Sequence, residues 1–131
     1  MTVLGIGVDL VHVPSLADQL LTPGTRFAGA FTPGERRDAW DRSDDPTRHL
    51  AVRWAAKEAV IKAWSASLYG RPPVLDEHIH AEIEVICDAW RRPAIRVHRR
   101  VAEHTAGASF HISLSHDADY ATAYAVMTSR P

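Results

Sequence analysis

The chain has 131 residues, enough for one ordinary domain and too few for two independent cores, and its 46% hydrophobic and 24% charged residues exclude a disordered tail or a fibrous repeat. Fifteen cations against sixteen acids leave a net charge of −1, so there is no basic excess to hold a nucleic-acid backbone. The lone cysteine, Cys87, excludes an internal disulfide, and no apolar run approaches the ~20 residues of a membrane span, so the expectation is a single domain over 1–131 in the reducing cytoplasm, with neither nucleic acid nor membrane as partner.

Residues 2–13 alternate with period two, placing Leu4, Ile6, Val8 and Leu10 on one face of a predicted strand and Gly5, Gly7 and Asp9 on the other. The glycines clear that second face for close approach by backbone or ligand. Pro14 opens a short helix over 14–21, ended by Thr22, Pro23 and Gly24. Thr32 and Glu35 have the spacing of a capping box, with Pro33 at the first helical position, and predict a second helix through Trp40. Asp45 and Pro46 then open the longest helix, which ends before Gly70. Its apolar residues run around nearly the whole circumference, so it is read as substantially buried. Residues 79–87 alternate as a half-buried strand and turn through Trp90 and Pro93 into a partner containing Ile95 and Val97. Arg99 to Thr105 predicts a short helix, and two alternating runs, FHISLSH and ATAYAVM, close the chain around Asp117, Ala118 and Asp119. Strands and helices do not alternate as regular βαβ units, so the fold class is α+β, with a mainly antiparallel sheet packed on the long buried helix.

Thirteen of the fifteen cations are Arg, and the only two lysines, Lys57 and Lys62, flank Glu58 on the long helix. Charges on so apolar a helix need partners. Glu58 and Lys62 are four apart with the acid first, which fits a structural ion pair and equally fits a ligand site. Asp9 reads by itself as a strand-end cap or turn residue. Together with Glu58 it supplies two carboxylates, the ordinary protein share of a Mg²⁺ site completed by phosphate and water. His116 shares a strand face with Phe110, Ile112 and Leu114, so it is either a core histidine or a ligand placed just before a turn. His78 and His80 lack any zinc-ligand spacing, Arg91, Arg92, Arg96, Arg99 and Arg100 form a basic cluster able to receive phosphate or an acidic partner, and Cys87 alternates inward as core.

The blocks GIGVDLV (5–11), FTPGE (31–35), LAVRWAAKEAVIKA (50–63), IEV (83–85) and HISLSHDADYATA (111–123), in this order, resemble the bacterial holo-[acyl-carrier-protein] synthases, the short phosphopantetheinyl transferases. The resemblance implies the 4'-phosphopantetheinyl transferase fold and transfer of 4'-phosphopantetheine from coenzyme A to a serine of an acyl carrier protein, or of a carrier domain of a fatty acid synthase, with release of adenosine 3',5'-bisphosphate. By position it implies Asp9, Glu58 and Lys62 as catalytic residues, Asp9 and Glu58 as Mg²⁺ ligands, and Arg53, Lys62, Ser115 and His116 as contacts to the nucleotide. It also implies a homotrimer with active sites between subunits. Glu58, directly or through a water, is the candidate base for the serine proton. Two features depart from the family. Val11 stands where larger relatives carry a third acid, and residues 14–21 carry no cation to dock an acidic carrier, which leaves Arg26, Arg36 and Arg37 as docking candidates. The competing readings are a non-catalytic α+β binding module with a structural ion cluster, and another Mg²⁺-dependent nucleotide enzyme with a different acceptor.

Overall fold

The computed structural model describes residues 1–131 apart from Leu21, Arg26, Ala28 and Glu77. Its elements are β1 (Val3–His12), α1 (Val13–Leu20), α2 (Pro33–Arg42), α3 (Pro46–Ser67), a 3-10 turn (His80–Glu82), β2 (Ile83–Cys87), β3 (Pro93–Val97), α4 (Arg99–His104), β4 (Ala108–Asp117) and β5 (Tyr120–Ser129). β1, β5 and β4 form an antiparallel sheet in that order, and β2 and β3 form a separate antiparallel hairpin, which makes the chain α+β.

Local chemistry sets the helix starts. The Thr32 hydroxyl accepts from the Glu35 amide at 3.2 Å while the Glu35 carboxylate accepts from the Thr32 amide at 3.0 Å, so the capping box forms as its spacing predicts. Asp45 caps α3 by accepting from the Arg48 amide at 3.1 Å. Leu50, Ala51, Trp54, Ala55, Ala56, Ala59, Val60, Ala63 and Trp64 of α3 are buried, and so are the charged Arg53 and Lys57.

The glycine face of β1 takes the backbone of α3. A Cβ on Gly7 would overlap the carbonyl oxygen of Ala59, and one on Gly5 that of Ala63. The register sets Gly7 opposite Ala125, Asp9 opposite Ala123 and Val11 opposite Ala121, so the neighbouring strand also shows the helix small side chains, all buried. The helix therefore lies close against the sheet, and the larger apolar stripe is left outside: Ile6, Val8 and Leu10 are 51%, 51% and 66% exposed. Asp9 faces inward with the glycines.

On another side of α3, the Lys57 ammonium is wholly buried and donates to Glu35 Oε1 at 2.7 Å, to the Ile83 carbonyl at 2.6 Å and to the His80 carbonyl at 2.8 Å. Glu35 Oε2 accepts from the Val85 amide at 2.9 Å. Burial pushes the Lys57 amine below its usual range against the raising pull of Glu35. All three donor positions of Lys57 are used, so the clamp joins α2, α3 and β2 without stranding a charge.

Three local expectations change. The predicted 79–87 strand is shorter, because residues 80–82 form a 3-10 turn in which Glu82 is buried against Arg100, at 2.6 Å. Cys87 is only half-buried, and its sulfur accepts from Arg53 Nη2 at 3.3 Å, so it is not a purely apolar core residue. His116 is exposed, because the inward-facing side of β4 runs past the edge of the core before its end; Phe110, Ile112 and Leu114 are half-buried along it. The first helix runs to Leu20, and Leu21 lies outside the described residues.

Gly7→Ala should lose about 3 kcal/mol or more of stability, since the added carbon meets rigid helix backbone. Chemical denaturation measures this, and a loss below about 1 kcal/mol would show that strand and helix can separate at low cost.

Candidate active site

Asp9 ends the glycine face of β1, and it is there that the strand meets charged residues of α3. Lys62 Nζ donates to Asp9 Oδ1 at 3.1 Å and to the Val8 carbonyl at 3.0 Å. Burial raises the Asp9 carboxyl above its usual range; Lys62 pulls it down, and the nearby negative charge of Glu58 pushes it up. Thr122 on the neighbouring strand donates to the Asp9 carbonyl at 2.9 Å and holds this point of β1 in place. Asp9, Glu58 and Lys62 are thus brought together.

Glu58 Oε1 lies 3.3 Å from His80 Nε2. It also lines a cleft of about 430 Å³ whose walls include Trp54, Ile61, Trp64, Leu68 and Ile79. Glu58, Asp76, His78 and His80 add polar groups to these apolar walls, a combination that suits a small organic ligand.

Two half-buried carboxylates acting on each other would be relieved by a cation. Among the described residues no group of three or more His, Cys, Asp or Glu side chains is arranged to hold a metal ion. Val11, the position of the third acid in larger relatives, is buried apolar surface here. A pair of hard oxygen donors completed by ligand and water oxygens fits Mg²⁺ and does not fit a closed zinc site.

Arg53 and His116 belong to a second cluster. A depression of about 230 Å³ is lined by Ser43, Arg48, His49, Arg53 and His116, among others. Arg48 Nη2 lies 3.4 Å from His116 Nδ1 and donates to the Ala118 carbonyl at 2.6 Å. Arg53 Nε and His49 Nε2 are buried and find no hydrogen-bond partner among the described residues. Burial, reinforced by the Arg53 charge, pushes His49 from its ordinary 6.5 down to about 4; Asp38 opposes this and Arg91 adds to it. A buried unpaired Arg53 Nε–H in a positive field is what an anion would satisfy. Ser115 is not part of this cluster. Its register partner is Thr122, which pairs with Leu10, so Ser115 belongs to the outer face of the sheet.

Spacing does not mark Arg48, His49 or His80 as site residues. The four-residue interval between His49 and Arg53 on α3 is the signal available for this second cluster. For His80 none existed, since period-two alternation placed it in a strand.

Residues 5–125 match the family model of the 4'-phosphopantetheinyl transferase superfamily. The holo-[acyl-carrier-protein] synthase of Mycobacterium ulcerans is 54% identical over 127 residues, which cover 97% of this chain and 98% of that protein. Among solved structures, the acyl carrier protein synthase of Mycobacterium tuberculosis superposes with a TM-score of 0.80 at 45% identity, covering 97% of this chain and 98% of that one. The synthase–coenzyme A complex of Chronobacterium ammoniagenes superposes with a TM-score of 0.88 at 46% identity, with the same coverage. The chain belongs to the 4'-phosphopantetheinyl transferase superfamily.

Proposed function

We propose that this chain transfers the 4'-phosphopantetheine group of coenzyme A to a serine of an apo acyl carrier protein, or of a carrier domain of a fatty acid synthase, as a Mg²⁺-dependent enzyme of the cytoplasm. The observation that carries this reading is the meeting of Asp9, Glu58 and Lys62 where β1 crosses α3, in a chain so similar to holo-[acyl-carrier-protein] synthases. The serine oxygen bonds to the phosphorus that bears pantetheine. The bond from that phosphorus to the bridging oxygen breaks, and adenosine 3',5'-bisphosphate leaves.

Such a transfer needs positioning and charge neutralisation more than covalent help from the protein. Asp9 and Glu58 would hold Mg²⁺, which when bound neutralises pyrophosphate charge. Lys62, with half of its side chain exposed beside Asp9, brings a compact cation to the phosphates. Glu58 takes the serine proton, directly or through a water. The cluster of Arg48, Arg53 and His116 receives further phosphate of the nucleotide, supported by the unpaired buried Arg53 Nε–H. An acidic carrier meets exposed Arg37 and half-buried Arg36 on α2, because α1 carries no cation; the third docking candidate, Arg26, lies outside the described residues.

The cation cluster and Glu58 line different depressions of one chain. A homotrimer unites them, with the acids of one subunit facing the His116 strand of its neighbour. The exposed stripe of Leu4, Ile6, Val8 and Leu10 is the surface for that contact. On the far edge of the same outer face stand exposed His111, Ser113 and Ser115.

Incubation with coenzyme A, Mg²⁺ and an apo carrier, read by intact mass, tests the function. Asp9→Ala and Glu58→Ala should abolish transfer with the fold retained, and Lys62→Arg should slow it by about tenfold, because a planar guanidinium cannot replace a compact ammonium. Full turnover in the carboxylate variants or in excess chelator would remove the metal reading, and full turnover in Lys62→Arg would make Lys62 a structural partner of Asp9.

Val8→Glu should leave a folded monomer without transfer activity, since Val8 is exposed in the single chain. Sedimentation of an active trimer carrying this change would place the subunit contact elsewhere.

The unfolded chain takes a proton on His49 near 6.5 and the folded chain only near about 4, so stability falls as pH drops through that interval. Groups facing His49 are Arg53, Arg91 and Asp38. A phosphate in the cluster offsets the cations, so coenzyme A should raise the melting temperature more at about pH 5.5 than at about pH 7.5. Equal shifts at both values would take the phosphates away from this cluster.

A further inference from the structure

α3 presents Trp54, Lys57 and Glu58 on one face, three and four residues apart, and each holds a different part of His80. The indole of Trp54 stacks on the imidazole at 4.2 Å between ring centroids and 7° between planes. The buried Lys57 ammonium donates to the His80 carbonyl at 2.8 Å. Glu58 Oε1 stands 3.3 Å from Nε2. With its backbone fixed by Lys57 and its plane fixed by Trp54, the ring has little freedom other than to point Nε2 at the carboxylate. A carboxylate only accepts, so Nε2 is the nitrogen that carries a proton in this contact.

The grip depends on the departure from strand geometry noted above. In an extended run through residue 80 the carbonyl would be available to a sheet neighbour, whereas in the 3-10 turn it accepts from the Ile83 amide and from Lys57. Lys57 is in turn fixed by Glu35, so the aim of the ring depends on the buried clamp between α2, α3 and β2.

We infer that His80 is a positioning residue for Glu58: it fixes the carboxylate on α3 in the orientation that holds the metal ion and meets the serine. This rests on the reading of Glu58 given under Proposed function. Outer partners of a metal-holding carboxylate set its direction, and their loss ordinarily weakens metal binding by about 10- to 100-fold. The role inferred for His80 is exerted through Glu58, although its ring also borders the cleft that Glu58 lines.

Two substitutions separate orientation from folding. His80→Phe keeps a flat ring for Trp54 and loses the donor. His80→Gln keeps a donor at the reach of Nε2 and loses the stack. Mn²⁺ is titrated into each protein in the presence of coenzyme A, followed by water-proton relaxation, and transfer to an apo carrier is measured in parallel. His80→Phe should weaken Mn²⁺ about tenfold and lower kcat to a similar extent, with the carrier KM unchanged. Its melting temperature should stay within about 2 °C of the parent. His80→Gln should recover much of the Mn²⁺ affinity. Unchanged Mn²⁺ affinity and kcat in His80→Phe would overturn the inference while leaving the transferase reading intact. Equal losses in both variants together with lower melting temperatures would overturn it also, in favour of a packing role. Absence of Mn²⁺ binding by the parent protein with coenzyme A would overturn the metal site itself and His80's role with it.

Discussion

The backbones of β1 and α3 touch where Gly5 and Gly7 have no side chains, against the carbonyl oxygens of Ala63 and Ala59. Much else in the molecule follows from that contact. A strand this close to a helix leaves no room for side chains between them, so at this contact the inner face is built of glycine and alanine, and Ile6, Val8 and Leu10 point away. Dispersion between closely packed backbone and methyl groups takes the place of bulky side-chain burial at this interface. Asp9, the next residue on the glycine face, is therefore delivered to Lys62 and into the field of Glu58 without any loop having to find them.

α3 distributes its remaining charges by direction. Lys57 goes into the interior and is fully paired, Glu58 and Lys62 go to the strand and cleft, and Arg53 goes to the depression shared with His116. The buried Lys57–Glu35 pair spends its hydrogen bonds on the α2 start and on the β2 lead-in, which makes it a junction between elements rather than a part of the chemistry. Through His80 the same junction reaches the carboxylate of Glu58, so a structural lysine and a site acid one residue apart are mechanically connected.

The outward apolar stripe is the other result of the glycine contact. A single chain exposes Ile6, Val8 and Leu10 to water, and it also separates the acidic and cationic depressions. Both features would be remedied by the neighbouring copy proposed above, which would cover the stripe and bring the second depression to the first. On this view the residues that pack the helix and those that recruit the neighbour are alternate positions of one strand.

Sequence by itself determined the helix starts at Thr32 and Asp45, the antiparallel character of the strands and the family, because caps, alternation and contiguous motifs are local and survive in one dimension. Only the tertiary structure decided which face of β1 is inside, since period two shows that two faces differ but not which one the helix takes. It also decided partners. Spacing alone allowed Lys62 to pair along its own helix, and the fold gives it Asp9 from another element. His80 and Ser115 make the same point from opposite directions. The 3-10 turn brings His80 into the site although its pattern read as strand, and the alternation of β4 carries Ser115 to the outer face although it adjoins His116. Side-chain direction at such positions depends on contacts between residues far apart in the chain, and no local periodicity contains that information.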